Sequence, residues 1–234
     1  MSNHQKRLSA PQNYPVERKE GAYVVTAEGP YAASEGVPLA VLLRDVLEYV
    51  DTMAEVKQVL ADGRALVNQR ERTEPGSNVG FMDVVSFPDL DEHYRVLVTG
   101  DGLELVPVEG DAAEQKIVRV DDKTTLNGGV TQLNLHDGNN IETDEDVPTQ
   151  SSVLVSLPEL AVEETVERED GNLAYIIGGQ HVGETATVRS VDVQAGSQQN
   201  TVTLESDDGE FQTVEQNVYM IGEDEPLLEV DRDE

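Results

Sequence analysis

The pattern of apolar positions changes character early in the chain. Residues 1–36 show no lasting period and are interrupted by proline and glycine, which predicts an extended N-terminal arm. From Pro38 to Val50, apolar residues then recur at intervals of three and four, which is the spacing of one helix face. We therefore expect an arm followed by a short amphipathic helix.

A second helix and a long series of short strands follow. Thr52 and Glu55 have the spacing of a capping box, and Gly63 is placed to end the helix that they begin. His136-Asp137-Gly138 predicts a hairpin turn. Short apolar runs separated by Gly, Asp and Asn turns predict strands at 65–67, 84–87, 95–98, 103–106, 116–120, 131–135, 153–157, 173–177, 186–193, 201–204 and 218–221. Their spacing predicts one or two small β-barrels.

The charge of the chain argues at first against a nucleic-acid partner. Sixteen Lys and Arg face 47 Asp and Glu, a net charge of −31, whereas proteins that bind phosphate backbones are usually basic. One interpretation is an acidic interaction protein, such as a nucleic-acid mimic or a chaperone. The other is adaptation to molar salt, where the Debye length falls to about 3 Å and diffuse charge is screened. The acidic residues are scattered rather than blocked, which favours salt adaptation.

The cations are concentrated in the first part of the chain. Residues 1–100 contain ten basic and 15 acidic residues, whereas residues 101–234 contain six and 32. The arm is basic at its start, since Lys6, Arg7, Arg18 and Lys19 precede most of its acid. The chain has no Cys, no signal-like segment and no membrane-spanning apolar run, so we expect a soluble intracellular protein.

Gly178–Thr185 is the segment that most resembles a catalytic or nucleotide-binding motif. It has the glycine spacing of a phosphate loop, but Glu184 stands where the lysine that reaches the phosphates should be. The segment also lies among predicted strands rather than before a helix. We therefore predict a glycine-rich hairpin in which Gly183 has a positive φ angle.

Other signs of chemistry are weak. The acidic stretch from Asp137 to Asp146 lacks the spacing of a calcium loop, and the four His residues are too far apart in sequence for a zinc motif. We find no G-x-S-x-G elbow and no Cys nucleophile. We expect no enzyme activity, cofactor, metal or small-molecule substrate.

Several strings, taken in order, resemble the archaeal and eukaryotic S4e family of small-subunit ribosomal proteins over nearly the whole chain. The most specific is Gly-Phe-Met-Asp-Val at residues 80–84. The other matching segments are 4–11, 37–49, 67–73, 136–138, 178–183 and 217–222. The acidic composition is similar to that of the halophilic archaeal members.

The resemblance implies an α+β, mostly β fold with a defined order of domains. It implies an N-terminal extended arm (1–36), a small helical S4-type RNA-binding domain (37–94), a central β domain (95–170), a C-terminal SH3-like KOW barrel (171–222) and an acidic tail (223–234).

The resemblance also implies a structural constituent of the small ribosomal subunit that binds ribosomal RNA and supports subunit assembly and translation. Its partners would be small-subunit ribosomal RNA and neighbouring ribosomal proteins, and its location the ribosome in the cytoplasm, with no membrane contact. Residues expected at the RNA are His4, Lys6, Arg7, Arg18, Lys19, Arg44, Lys57, Arg64, Arg70, Arg72, Gln180, His181, Gly183 and Arg189. The KOW loop has few cations, so we expect the RNA face mainly in residues 1–72.

Overall fold

Short antiparallel strands make up most of the secondary structure, with two short helices near the start, so the mostly β fold class is confirmed. The computed structural model describes residues 4–19, 21–126, 128–194 and 199–230. The chain divides into two units, Met1–Glu114 and Gln115–Glu234. Within the described ranges, no helix is long and apolar enough to cross a membrane.

The N-terminal unit contains one five-stranded sheet and two small ribbons. Its strands are β1 His4–Lys6, β2 Tyr23–Val25, β3 Gly36–Pro38, β4 Leu66–Val67, β5 Arg70–Glu71, β6 Asn78–Gly80, β7 Val84–Phe87, β8 Glu92–Thr99 and β9 Gly102–Pro107. The sheet has the order β5-β4-β7-β8-β9, and the ribbons are β1-β2 and β3-β6.

The first helix is shorter than its apolar stripe predicts. Helix α1 (Leu39–Val41) runs into a π-helical turn at Leu42–Val46, and the helix ends there rather than at Val50. The Leu47 amide donates to the Leu42 carbonyl, and Glu48 then takes a φ of 53° that no helix continues. The stripe beyond Val46 still packs against the core, so burial extends further than the helix.

The second helix, α2 (Met53–Ala61), begins at the predicted capping box. The Thr52 hydroxyl accepts a hydrogen bond from the Glu55 amide, and the Glu55 carboxylate accepts one from the Thr52 amide at 2.8 Å. Two amides that a helix N-terminus leaves without an intrahelical partner are therefore satisfied. The helix ends just before Gly63, as predicted, and Gly63 has a φ of 67°.

Replacing Thr52 with Ala should lower the free energy of unfolding of the N-terminal unit by about 1 kcal/mol, because the capping hydroxyl is lost. Urea unfolding measures the change. Thr52→Ser keeps a hydroxyl and serves as the matched control. Equal stability of the Ala and Ser variants would show that the cap does not contribute.

The arm packs against the rest of the N-terminal unit instead of extending away from it. Ala10, Tyr14, Val24 and Val25 are buried in the same apolar cluster as the two helices and the sheet. These residues are spaced irregularly among prolines and glycines, so no period in the sequence predicts their burial. Residues 1–3 and 20 of the predicted arm lie outside the described residues.

The C-terminal unit contains two five-stranded antiparallel sheets. Its strands are β10 Gln115–Thr125, β11 Thr131–Leu135, β12 Asn140–Thr143, β13 Ser152–Ser156, β14 Ala161–Val166, β15 Leu173–Ile176, β16 Thr185–Asp192, β17 Thr201–Ser206, β18 Gly209–Val214 and β19 Val218–Gly222. The sheet orders are β12-β11-β10-β13-β14 and β18-β17-β16-β15-β19.

The predicted hairpin at residues 136–138 is confirmed, because β11 and β12 pair on either side of it. The sequence pattern missed β12, β14 and β18. These strands lie at sheet edges, and their exposed positions carry polar residues such as Glu142, Glu164 and Glu210. An edge strand with so few apolar residues gives little alternation to detect.

A buried ion pair lies inside the C-terminal unit. Lys116 of β10 is fully buried, and its ammonium donates to the Asp137 carboxylate at 2.6 Å. Burial alone would raise the pKa of Asp137, but the Lys116 charge, His136 and hydrogen bonds from Lys116 and Asn139 hold it well below the usual range. The pair therefore anchors the β11–β12 hairpin to β10.

The expected acidic tail is partly packed. Leu228 and Val230 are buried, and the Leu227 amide donates to the Ile221 carbonyl, which returns the chain to β19. Residues 231–234 lie outside the described residues.

The expected domain boundary at residues 94 and 95 falls inside a strand. β8 pairs with β7 along Glu92–Arg95 and with β9 along Tyr94–Thr99, so it holds both neighbours in one sheet. The unit instead ends at Glu114, after β9 and a 3₁₀ turn. β8 and β9, which were expected at the start of the central domain, therefore complete the sheet of the N-terminal unit.

Candidate nucleic-acid interface

The exposed cations fall into two groups according to whether a carboxylate holds them. Arg64 pairs with Asp89, Lys123 with Asp146 and Arg189 with Glu205. A second group is exposed and has no ion pair among the described residues; its members are Lys6, Arg18, Lys19, Lys57 and Arg72. We call this group the five open cations. All five lie in the N-terminal unit and among the residues expected at RNA.

Arg7, which was expected at the RNA, is buried in the structure. Its side chain is buried, with Nε donating to the Glu17 carbonyl at 2.7 Å and Nη1 lying 3.4 Å from the Asp45 carboxylate. Asp45 also accepts from Arg44 Nη2 at 2.7 Å. The Arg7 guanidinium therefore links the arm to the π-helical turn, and its Nε and Nη1 donors point into the unit rather than outward.

The β4–β5 hairpin positions Arg70 and Arg72. Its two turn residues, Asn68 and Gln69, both have positive φ angles, 52° and 60°. The Asn68 amide donates to the buried Asp83 carboxyl at 2.7 Å, and its carbonyl accepts from the Val84 amide at 2.9 Å. Side-chain bonds to the sheet therefore hold the turn in place.

Replacing Asn68 with Ala should destabilise the N-terminal unit by about 2–3 kcal/mol, since it removes bonds to a buried carboxyl and places Ala at a positive φ. Asn68→Gly loses the same bonds without the backbone strain and should cost about 1 kcal/mol less. Chemical denaturation compares the two. If the Gly variant were as unstable as the Ala variant, backbone strain would make no contribution here.

In the C-terminal unit, carboxylates hold each cation that the structure describes. Arg119 pairs with Asp121, its guanidinium lies 5.6 Å from the centre of the Tyr219 ring, and Arg168 pairs with Glu215. Lys116, Lys123 and Arg189 pair as described above. This unit therefore presents no open cation within the described ranges.

The glycine-rich segment is a hairpin loop between β15 and β16, as predicted, and Gly183 has a φ of 89°. His181 stacks on Phe211, with ring centroids 3.9 Å apart, and its Nδ1 lies 3.0 Å from the Glu184 carboxylate. Gln180 is exposed. His181 thus makes contacts through both its ring face and its ring edge, whereas Gly179 and Gln180 are exposed.

The acidic stretch that begins at Asp137 has a structural role. The Asp137 carboxylate is occupied by Lys116 and by the Asn139 amide groups. Over the part of the chain that the structure describes, no group of three or more His, Cys, Asp or Glu residues is placed to hold a metal ion.

An exposed aromatic pair lies on the β1–β2 ribbon, where Lys6 is directly opposite Tyr23. The His4 and Tyr23 rings meet edge to face, with centroids 4.9 Å apart. Tyr23 is 59% exposed, and Leu8 nearby in sequence is 70% exposed. His4 was among the residues expected at RNA and Tyr23 was not, because a single Tyr in an irregular segment has no pattern that separates a surface site from a core position.

Comparison with known proteins gives consistent results. The model of the ribosomal family S4e matches residues 90–162. The small ribosomal subunit protein eS4 of Halobacterium salinarum is 42% identical over 234 residues, covering 99% of both chains. The protein of the same name from Methanocella arvoryzae is 37% identical and covers 97% of both.

A solved structure agrees with these sequence matches. The crystal structure of the 30S ribosomal protein S4e from Thermoplasma acidophilum superposes with a TM-score of 0.69 at 31% identity, covering 81% of this chain and 96% of that one. The likeness in sequence extends over nearly the full length of the relatives, and the fold is shared. The chain therefore belongs to the S4e family of ribosomal proteins.

Proposed function

We propose that this protein is a structural constituent of the small ribosomal subunit that binds ribosomal RNA through its N-terminal unit. The relatives at about 40% identity carry the name of a small-subunit ribosomal protein rather than of an enzyme, which confirms that the chain is not an enzyme. Its partners are ribosomal RNA and neighbouring ribosomal proteins, and it works in the ribosome in the cytoplasm.

The observation that carries the RNA-binding proposal is the location of the five open cations. In a chain with 47 carboxylates, a cation that keeps its charge unpaired and exposed is unusual, and all five lie in one unit. Phosphate oxygens are the natural partners for such groups, because they bring negative charge and release bound counterions. Arg44, Arg64 and Arg70 belong to the same unit.

The acidic surface is compatible with this function in molar salt. Screening at that ionic strength removes long-range repulsion between the carboxylates and RNA, so only close contacts matter. The similarity to a Halobacterium salinarum protein supports the interpretation as salt adaptation. The alternative, an acidic interaction protein without direct RNA binding, gives no reason for keeping five cations open.

We also propose the finer domain layout. The S4-type RNA-binding domain expected at residues 37–94 would extend to Glu114, because β8 and β9 complete its sheet; the central domain would then cover residues 115–170, and a KOW barrel of the SH3-like type residues 171–222. Supporting the barrel, β15 to β18 form a meander and β19 returns beside β15, after a 3₁₀ turn at Glu215–Asn217. Gln180, His181, Gly183 and Arg189 would then be secondary RNA contacts.

Sedimentation in multimolar KCl tests the function. Lysate of cells that carry a tagged copy of the chain is resolved on a gradient, and the protein should travel with the small subunit. It should also bind deproteinised small-subunit RNA in the same salt. A chain that stays in the free pool and ignores the RNA would overturn the proposal, whereas capture by proteins alone would support the acidic interaction alternative.

A further inference from the structure

The outer face of the β1–β2 ribbon combines an exposed aromatic ring with cations. Lys6 lies directly opposite Tyr23 in the antiparallel register, so both side chains stand on the same face. His4 is two residues from Lys6 on that face, and its ring meets the Tyr23 ring. His4 and Lys6, at the two ends of β1, are both exposed.

Tyr23 is unusual among the aromatic residues of the chain. The protein has no Trp, three Phe and seven Tyr. Tyr14, Tyr31, Tyr175 and Tyr219 are buried, as are Phe81 and Phe87. Tyr49 is partly exposed, but its hydroxyl bonds to Glu92 and its ring packs on Phe87. Tyr23 alone among the described Tyr and Phe residues has more than half of its surface exposed.

The contact with His4 leaves a ring surface of Tyr23 available. The two rings are inclined by 82°, so His4 covers at most one face of Tyr23. The 59% exposure of Tyr23 shows that no other described group encloses it. The contact with His4 also restricts the Tyr23 side chain, so less side-chain entropy is lost when a ligand stacks on the Tyr23 ring.

The charges around this face select an anionic ligand. Lys6, Arg18 and Lys19 are three of the five open cations, and Glu17 is the one carboxylate among the described residues of 4–25. Elsewhere the chain is strongly acidic. A flat ring beside cations fits a nucleotide, whose base stacks on the ring while its phosphates meet the ammonium and guanidinium groups.

Resting on the proposed function, we propose that Tyr23 stacks on an unpaired base of the ribosomal RNA, with Lys6, Arg18 and Lys19 contacting the adjoining phosphates. A regular RNA helix does not fit this site, because its bases are already stacked on each other. The ligand is therefore a base in a loop, bulge or junction. The β1–β2 ribbon therefore recognises an unpaired base, whereas the other open cations contact the RNA phosphate backbone whether or not the bases are paired.

High salt gives this stack a particular value. Contacts between cations and phosphates weaken as salt concentration rises, since counterion release yields less. Burial of apolar ring surface does not weaken in this way and is strengthened by many salts. In a salt-adapted protein, the aromatic stack is thus the part of the interface whose contribution to the binding free energy persists as salt concentration rises.

Fluorescence provides a direct test, because the chain has no Trp of its own. In Tyr23→Trp, the single Trp should be quenched when deproteinised small-subunit RNA is added in molar KCl, and unquenched by a fully paired RNA duplex. Tyr49→Trp, at an acidic part of the same unit, is the control and should respond to neither. Quenching by the duplex as strongly as by the ribosomal RNA would overturn the inference.

Affinity measurements on two further variants separate stacking from folding. Tyr23→Phe keeps the ring and should bind as the natural chain does, whereas Tyr23→Leu should bind about 5- to 150-fold more weakly, the effect of losing one base–aromatic stack. That ratio should stay constant as KCl rises, while the ratio for Lys19→Gln should shrink. Circular dichroism checks that each variant is folded.

The outcomes distinguish this inference from the proposed function. If the natural chain binds no ribosomal RNA, both fall. If it binds, but Trp at position 23 is not quenched and Tyr23→Leu binds as well as Tyr23→Phe, the stacking site falls and the RNA-binding function stands.

Discussion

Replacing Lys116 with Met should lower the free energy of unfolding of the C-terminal unit by about 3–5 kcal/mol, the cost of leaving a buried charge without its partner. Lys116 is fully buried, and Asp137 is almost so. The Asp137 carboxylate would keep only its bonds from Asn139. Urea unfolding in molar KCl, followed by circular dichroism, measures the loss.

A double variant shows whether the charge or the volume matters. Lys116→Met combined with Asp137→Leu removes both charges and should recover at least about 2 kcal/mol of the loss, because a buried ion pair and an apolar pair often have similar stability. Should the double variant be less stable than Lys116→Met alone, the hairpin bonds of Asp137 would outweigh the charge effect.

The same pair makes stability depend on pH in a defined direction. Lys116 and the hydrogen bonds hold the pKa of Asp137 well below its unfolded value of about 4. A carboxyl with a depressed pKa contributes stability above its unfolded pKa and loses it as pH falls toward the folded one. The stability difference between the natural chain and the double variant should therefore shrink below about pH 4 and stay constant above about pH 5.

Changing all five open cations to Gln should abolish most of the salt-dependent RNA binding. If each cation contacts a phosphate, the slope of log affinity against log salt should become shallower by about 4. At the lowest salt concentration that keeps the chain folded, affinity should fall by about 10- to 100-fold. Filter binding to deproteinised small-subunit RNA over a range of KCl concentrations measures both quantities.

The matched control compares equal changes in net charge. Lys57→Gln with Arg72→Gln removes two open cations, whereas Lys123→Gln with Arg189→Gln removes two cations that carboxylates already hold. The first pair should reduce the salt slope by about 2 and the second by much less. Equal effects would mean that net charge, rather than open cations, determines binding.

Features that depend on neighbouring residues were predictable from the sequence. The capping box at Thr52, the hairpin at His136-Asp137-Gly138 and the positive φ of Gly183 each follow from the chemistry of a few adjacent residues. The strands of the sheet interiors were also found, since burial of one face produces an alternating pattern. Edge strands with few apolar residues, such as β14, lack that pattern.

Features that depend on distant residues were not predictable. Lys116 and Asp137 are 21 positions apart, and nothing local marks them as partners. Arg7 looked like the other basic residues of the arm, yet Glu17 and Asp45 occupy it. Which cations remain open depends on which carboxylates the fold brings near, so the sequence could not separate the open cations from the paired ones.

The attachment of the arm through Arg7 and Asp45 has a consequence for assembly kinetics. Because the arm is already packed, its encounter with RNA is a docking of formed surfaces rather than folding coupled to binding. The heat-capacity change of association then reflects only the area of contact, and the association rate is set by collision and orientation. RNA binding should therefore require no folding of the packed arm, so the arm adds no ordering cost to association.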